Sequence, residues 1–303
     1  MIKEIIDKLV ALLAVSALLA SCSESELWQN PQTEARDGYI MLNFKTEIPA
    51  MQEVVTRAVD PDGGGVQDMT LFCFDSYGLF ISTVKAGVTV QKPGPGEMEG
   101  TFKAEVPENT RTIHFLANQN MDEFKEDSFR NKSESEVMAV LEGSSGRMIY
   151  WGRFACDAGN DSNIAEQMAT SGNSVKLIRN HARISVDNPD NNGHIVITGF
   201  AVCNTNAFGT VAPHHPKKGF DFTWPSSDDP FVTLPVNDAK MSDITDVTSS
   251  MNQYVFECEN SADAPVSVIL RGHLPDQDEE KYYRVLLVDD KGEQLLVRRN
   301  HHY

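Results

Sequence analysis

Cations are scarce in this chain: 26 Lys and Arg stand against 44 Asp and Glu, for a formal net charge of -18. Such a surface repels a phosphate backbone instead of neutralising it, which argues against nucleic acid as a partner and against docking of the protein surface on anionic lipid. Cysteine is scarce as well. There are five, and no C-x-x-C or C-x-x-H spacing occurs, so a zinc site has little support. Catalytic signatures are also missing: there is no G-x-S-x-G, no H-E-x-x-H and no phosphate-cradling glycine loop before a helix. The carboxylates fall mostly in loops and turns, where solvated charge is their ordinary role. The expectation is a protein that is not an enzyme and carries no cofactor or metal.

What the chain does have begins at its N-terminus. Leu9 to Ala20 is almost wholly Leu, Val and Ala, long enough for the core of a signal peptide and too short to span a bilayer. The run closes on Leu19-Ala20-Ser21-Cys22, the pattern of a bacterial lipobox, although Lys3 and Lys8 are offset by Glu4 and Asp7. A lipoprotein signal peptidase needs small residues ahead of a cysteine, so cleavage is expected between Ser21 and Cys22, with a covalent lipid (palmitate among its acyl chains) on Cys22. Each buried methylene is worth about 0.8 kcal/mol, so two or three acyl chains hold a protein on a membrane almost irreversibly. The mature chain is expected outside the cytoplasm.

After a leader at 1–21 and a polar tether at 22–37, strand-like segments follow one another with turn residues between them. Tyr39 to Ile48 is extended and ends at Pro49, and the run from Ala50 to Gly65 is neither helix nor strand. Val66–Asp75 and Leu79–Lys85 read as a hairpin across Ser76-Tyr77-Gly78. Thr101–Val106, Thr112–Ala117 and Met148–Phe154 are further strands. The one helix expected lies within Asp122–Glu142, with Ser133 and Ser135 as caps and Gly143 as its end. A polar loop runs to Gly172. Val175–Val186 alternates as a strand, Ile195–Cys203 is another, and Asn204–Ser250 is irregular. Gln253–Glu257, Val266–Gly272, Tyr282–Val288 and Gln294–Arg299 complete the series. The pattern is all-β, a β-sandwich with one short helix, divided near residue 173 into an N-terminal domain (38–172) and a C-terminal domain (173–303).

Four strings carry a resemblance: MTLFCFDSYGLFISTV (Met69 to Val84), IHFLANQN (Ile113 to Asn120), LIRNHARISV (Leu177 to Val186) and LVRRNHHY (Leu296 to Tyr303). In this order, behind a lipobox and a TRA loop, they resemble the fimbrillin family, the lipoprotein-derived subunits of type V pili and their fimbrillin-like relatives. The likeness runs from about Gly38 to the end. It implies two tandem transthyretin-like sandwiches in a surface-exposed outer-membrane lipoprotein, working as a pilus (fimbrium) subunit or in cell adhesion. It further implies that an arginine-specific protease removes the first strand, and that a strand donated by another pilus subunit fills the groove. Carried onto this sequence, the cut falls between Arg57 and Ala58; Arg36-Asp37 competes but would leave the first strand in place. Family members continue beyond the RNHHY string, so the resemblance also implies a truncated C-terminal domain here. The alternatives are a non-polymerising lipoprotein that binds glycans, and a pilus anchor that keeps its lipid. The host or bacterial surface ligand is left open.

Other features have plainer explanations. His214-His215 and His301-His302 are adjacent pairs whose side chains on a strand point to opposite faces, which suits no shared metal ion. Asn188-x-Asp190-x-Asn192-Gly193 imitates a calcium loop, but its twelfth position is Gly199 instead of a bidentate glutamate; Asp60-x-Asp62-Gly63 is loop composition. Cys73, Cys156, Cys203 and Cys258 are an even number in a compartment that tolerates disulfides, yet three sit in apolar strand contexts suited to buried thiols. Trp28, Trp151 and Trp224 could stack on sugars, with Trp151 placed in an apolar strand that suits a core position.

Overall fold

The structure is a computed structural model and describes residues 35–48, 52–53, 66–94, 97–122, 124–144, 148–186, 195–213, 222, 240–247 and 252–303. In chain order, the first strands are β1 (Tyr39–Glu47), β2 (Gln52–Glu53), β3 (Met69–Phe74), β4 (Phe80–Lys85), β5 (Gly87–Gly94), β6 (Glu97–Pro107), β7 (Thr112–Ala117), β8 (Glu142–Ser144), β9 (Tyr150–Ala155), β10 (Ser174–Lys176) and β11 (Ile178–Arg179). The remainder are β12 (His181–Ser185), β13 (Val196–Thr205), β14 (Phe208–Thr210), β15 (Lys240–Met241), β16 (Thr245–Asp246), β17 (Asn252–Phe256), β18 (Ser267–His273), β19 (Lys281–Leu286) and β20 (His301–His302). Among the described residues two α-helices accompany them, α1 (Glu134–Val140) and α2 (Ile164–Thr170). The protein is all-β in class, and its strands form two successive β-sandwiches.

In the first, a sheet ordered β10-β1-β6-β5 faces a sheet ordered β11-β9-β7-β3-β4. The second of these is covered on both sides. Leu71, Cys73, Ile113 and Phe115 meet Leu42, Phe44, Phe102 and Val106 of the opposite sheet. Phe72, Phe74, Leu116 and Trp151 point the other way, onto Phe129, Val137, Met138, Val211 and Ala212. Every residue of β3 and β7 is therefore buried. This is why their sequences read as continuous apolar runs and not as alternation. Trp151 is a core residue, as its strand context suggested.

In the second sandwich, a sheet ordered β17-β12-β20-β2 faces one ordered β15-β13-β18-β19, around Ile184, Phe200, Val202, Val255, Val266 and Tyr303. A ribbon of β8 and β14 joins the two halves. The change of sheet partners falls at Asn180, later than residue 173: β10 and β11 still pair with β1 and β9 of the first sandwich, whereas β12 pairs with β17 and β20. The single strand expected over Val175–Val186 is thus three short strands in three sheets. Buried Asn180 fixes the crossing, its Oδ1 accepting from the Ile149 N–H at 3.1 Å.

The helical content also differs from expectation. The segment Asp122–Glu142 holds a 3-10 turn at Glu126–Phe129, a break at Asn131 with φ +57°, and then α1. Ser133 and Glu136 close a capping box as read from the sequence, but α1 ends at Val140, and Gly143 lies in β8. The supposed polar loop before Gly172 contains α2, capped by Asn163 and Glu166 in the same reciprocal way. The strand expected over Gln294–Arg299 is reduced to isolated bridges at Gln294 and Val297.

A polar cluster docks α1 on its sheet. The Trp151 indole N–H donates to His114 Nδ1 at 3.0 Å, which leaves His114 Nε2 to donate to Glu134 at 2.7 Å. Arg153 donates to both Glu134 oxygens, at 2.7 and 3.1 Å. Burial raises the Glu134 carboxyl, but the hydrogen bonds and charges of His114 and Arg153 outweigh it and bring it down to about 2. A carboxyl depressed from 4.5 stabilises the fold above pH 4.5, and that contribution disappears as pH falls through about 2. Denaturant unfolding should therefore show Glu134→Gln less stable than wild type by about 3 kcal/mol at pH 7. The gap should close between pH 4.5 and 2; a gap that stays constant over that window would contradict this account.

Candidate functional site

β1 is an interior strand. Eight of its residues, Tyr39 to Thr46, pair antiparallel with β6, and Lys45 to Glu47 pair parallel with β10. Its side chains alternate as a strand with one buried face should: Leu42, Phe44, Thr46 and Ile48 are buried, while Lys45 and Glu47 are exposed. Phe44 anchors the buried row, stacking on Phe102 with centroids 5.6 Å apart and meeting Phe115 edge-on at 5.0 Å. Leu42, Phe44 and Ile48 each contribute about 1.5–3 kcal/mol through burial.

The walls of the β1 slot are shaped by small residues. Gly100 lies opposite Thr46 in register, and a Cβ there would stand 2.4 Å from the Phe102 ring and 3.2 Å from Thr46 Oγ1. Gly152, across the core on β9, would carry a Cβ 2.5 Å from the Lys176 carbonyl. The end of β1 is tied to β10 and its flanking residues: Lys45 N–H donates to the Asn173 carbonyl at 2.7 Å, Leu177 N–H to the Glu47 carbonyl at 2.8 Å, and Ser174 Oγ to Glu47 Oε1 at 2.6 Å.

One polar group in the slot has no partner. Thr46 Oγ1 is fully buried and makes no hydrogen bond. A buried hydroxyl left unsatisfied costs about 1–3 kcal/mol, and valine has the same shape without that cost.

The structure places the sequence-derived sites as follows. Ser21, Cys22, Arg57 and Ala58 lie outside the described residues, as do Trp28, Trp224, His214, His215 and the two calcium-like loops. Arg36 is described. It precedes β1, pairs with Glu105 at 2.8 Å and lies over the Tyr39 ring at 4.2 Å, so a cut there leaves β1 attached. His301 and His302 turn apart: Nδ1 of His301 bonds the Arg299 carbonyl at 2.8 Å, and His302 is held between Arg183 and Ser185. Cys73, Cys156, Cys203 and Cys258 are free thiols. Burial pushes Cys73 and Cys258 up to about 12, which removes them from thiolate chemistry at neutral pH.

Residue-by-residue reading missed Arg299. Its guanidinium and Glu257 are both buried and paired, and it also donates to the Val211 and Thr210 carbonyls at 2.9 and 3.2 Å. It thereby fastens the C-terminal segment to the stretch that seals the first sandwich. The string RRNHHY held the residue in view, but nothing local distinguishes a buried arginine from a surface one.

No protein-family model matches the chain, and no curated protein does. Solved structures do resemble it. A candidate cell adhesion protein from Parabacteroides distasonis is similar with a TM-score of 0.53 at 14% identity, over 86% of this chain and 85% of that one. The tip fimbrial protein Mfa3 from Porphyromonas gingivalis, with a C-terminal truncation, has a TM-score of 0.47 at 13% identity, covering 82% of this chain and 83% of its own. The fimbrial anchor protein Mfa2 from the same organism has a TM-score of 0.26 at 13% identity, over 80% and 82%. The likeness to the first is one of fold, and the chain shares that fold.

Two substitutions test the slot. Phe44→Ala should cost about 3–5 kcal/mol in denaturant unfolding. Thr46→Val should stabilise by about 1 kcal/mol, and a destabilising Thr46→Val would contradict the reading of that hydroxyl.

Proposed function

We propose that the chain is a surface adhesin or fimbrial subunit of the fimbrillin-like type, not an enzyme, whose assembly depends on removal and replacement of β1. The reading rests above all on one observation: an interior strand with alternating burial is the first of the described strands, and the sequence between it and β3 carries Arg57. In this proposal the precursor travels to the outer membrane as a lipoprotein acylated at Cys22. An arginine-specific protease then cuts between Arg57 and Ala58, and β1 leaves with everything ahead of the cut.

Departure of β1 uncovers the facing edges of β6 and β10 and the apolar floor around Phe102 and Phe115. An extended strand from another subunit supplies the same main-chain bonds and places alternate side chains where Leu42, Phe44 and Ile48 had been. Sealing the slot also removes edges on which an open sandwich aggregates. The unsatisfied Thr46 hydroxyl supports this account, since a donor with an apolar residue at that position binds better than the strand it displaces. The adhesion and fimbrial proteins that share or approach this fold make the reading the natural one for an acidic, lipobox-bearing chain without catalytic motifs.

Treating the purified precursor with an arginine-specific protease should give subunits that associate into ladders resistant to boiling in detergent. Arg57→Ala should remain a monomer under the same treatment. Ladders of equal intensity from Arg57→Ala would overturn the proposed cut.

A further inference from the structure

β19 ends its sheet. It pairs with β18 from Lys281 to Leu286 without a shift of register, and among the described residues nothing pairs with its other side. Leu287 N–H donates to the Val266 carbonyl at 3.3 Å. Main-chain groups along a strand turn to alternate sides, so Lys281, Tyr283 and Val285 turn theirs to β18, while Tyr282, Arg284 and Leu286 turn theirs outward. The chain beyond β19 leaves that outer side open. Leu295 N–H donates to the Leu287 carbonyl at 3.0 Å and Asp289 N–H to the Glu293 carbonyl at 2.8 Å, which sets the returning segment on the β18 side.

Several other sheet ends are blunted. β5 carries Pro93, the Thr83 N–H of β4 donates to Glu126 Oε1 at 3.4 Å, and β10, β11 and β15 have three residues or fewer. β19 has six residues and no proline, glycine or carboxylate among them. Its apolar side chains are open to solvent: Tyr282 is 60% exposed, Val285 47% and Leu286 42%. A regular apolar edge of this kind is a template for another strand.

The edge complements itself. Two copies related by a two-fold axis meet antiparallel with their outward groups facing, which keeps Tyr282, Arg284 and Leu286 opposite members of the same set. Within Lys281–Leu286, an axis at Tyr283 or at Arg284 leaves five residues paired (281–285 or 282–286), and other axes leave three or fewer. An axis at Arg284 sets two guanidinium groups directly opposite each other, which is destabilising. An axis at Tyr283 sets Tyr283 on Tyr283, Tyr282 on Arg284 of the second copy, and Lys281 on Val285 of the second copy. It also brings Glu280 diagonally beside Arg284 of the second copy. Aromatic, cation–aromatic and opposite-charge pairs then line the seam.

We propose that β19 is the seam of a reversible two-fold dimer of this chain, in which two second sandwiches join edge to edge with Tyr283 at the axis. The seam takes no strand from either copy. Because β19 pairs with β18 and not with β1, it is present before and after any cut at Arg57. A contact one strand long belongs to the weak, reversible class and comes apart on boiling in detergent, so it adds nothing to the ladders expected from strand replacement.

Cysteine cross-linking of the full chain reads the register. Residues opposite each other at a non-hydrogen-bonded position have Cα atoms about 4.5 Å apart, within reach of a disulfide. Under mild oxidation Tyr283→Cys should form a covalent dimer about tenfold more readily than Leu286→Cys, which faces Glu280 of the second copy instead of itself. Arg284→Pro tests the edge. The Arg284 N–H points away from β18, so proline there removes no main-chain bond of the sheet, yet dimerisation measured by sedimentation in detergent should weaken about tenfold or more, with far-ultraviolet circular dichroism unchanged. Arg57→Ala should dimerise as the wild type does, so failure of the ladders and failure of this dimer are separate results. A full chain that sediments only as a monomer, Leu286→Cys linking as readily as Tyr283→Cys, or undiminished dimerisation of Arg284→Pro would overturn the proposal.

Discussion

A strand in the middle of a sheet cannot leave without uncovering two rows of main-chain donors and acceptors at once. That constraint organises this protein. β1 satisfies β6 along eight residues and β10 along three, and its buried row fills the floor between two sheets. Either the strand stays or something shaped like it takes its place. An open slot lined by Phe102, Phe115 and unpaired main chain has no stable form in water.

The remainder of the molecule is fastened by contacts that do not involve β1. The sheet behind the slot is buried on both faces, and α1 is clamped onto its outer side through the Trp151–His114–Glu134–Arg153 chain. Arg299 and Glu257 tie the C-terminal segment to Thr210 and Val211, which seal the same sheet. Within β1 itself the buried Thr46 hydroxyl makes no hydrogen bond.

How much of this was legible in the sequence depended on whether the deciding contacts were local. LFCF and IHFLA announced core strands because burial on both faces leaves an unbroken apolar run, and the Ser76-Tyr77-Gly78 turn sits where Gly78 adopts φ +73°. The alternation of β1 is mixed in the sequence, where Tyr39 and Met41 stand out beside Phe44 and Ile48, whereas the buried row is Leu42, Phe44, Thr46 and Ile48. By contrast, α2 was overlooked although Asn163 and Glu166 stand at capping-box spacing, because seven residues make only two turns and give little periodicity. In Val175–Val186 the adjacent Leu177-Ile178 and the polar run Arg179-Asn180-His181 interrupt the alternation at the points where the chain passes from sheet to sheet, a signal too short to read as three strands. β2 was invisible for a similar reason. Two residues give no periodicity, and their pairing partner is some 250 positions away. Contacts that close over such distances are set by topology and not by local preference.

The most direct measurement is the mass of the subunit recovered from the surface of the cells that make it. If β1 is the piece removed, assembled subunits begin at Ala58 and carry neither lipid nor residues 39–47, while unassembled material begins at an acylated Cys22. Assembled subunits that still contain Tyr39 to Glu47 would contradict the account.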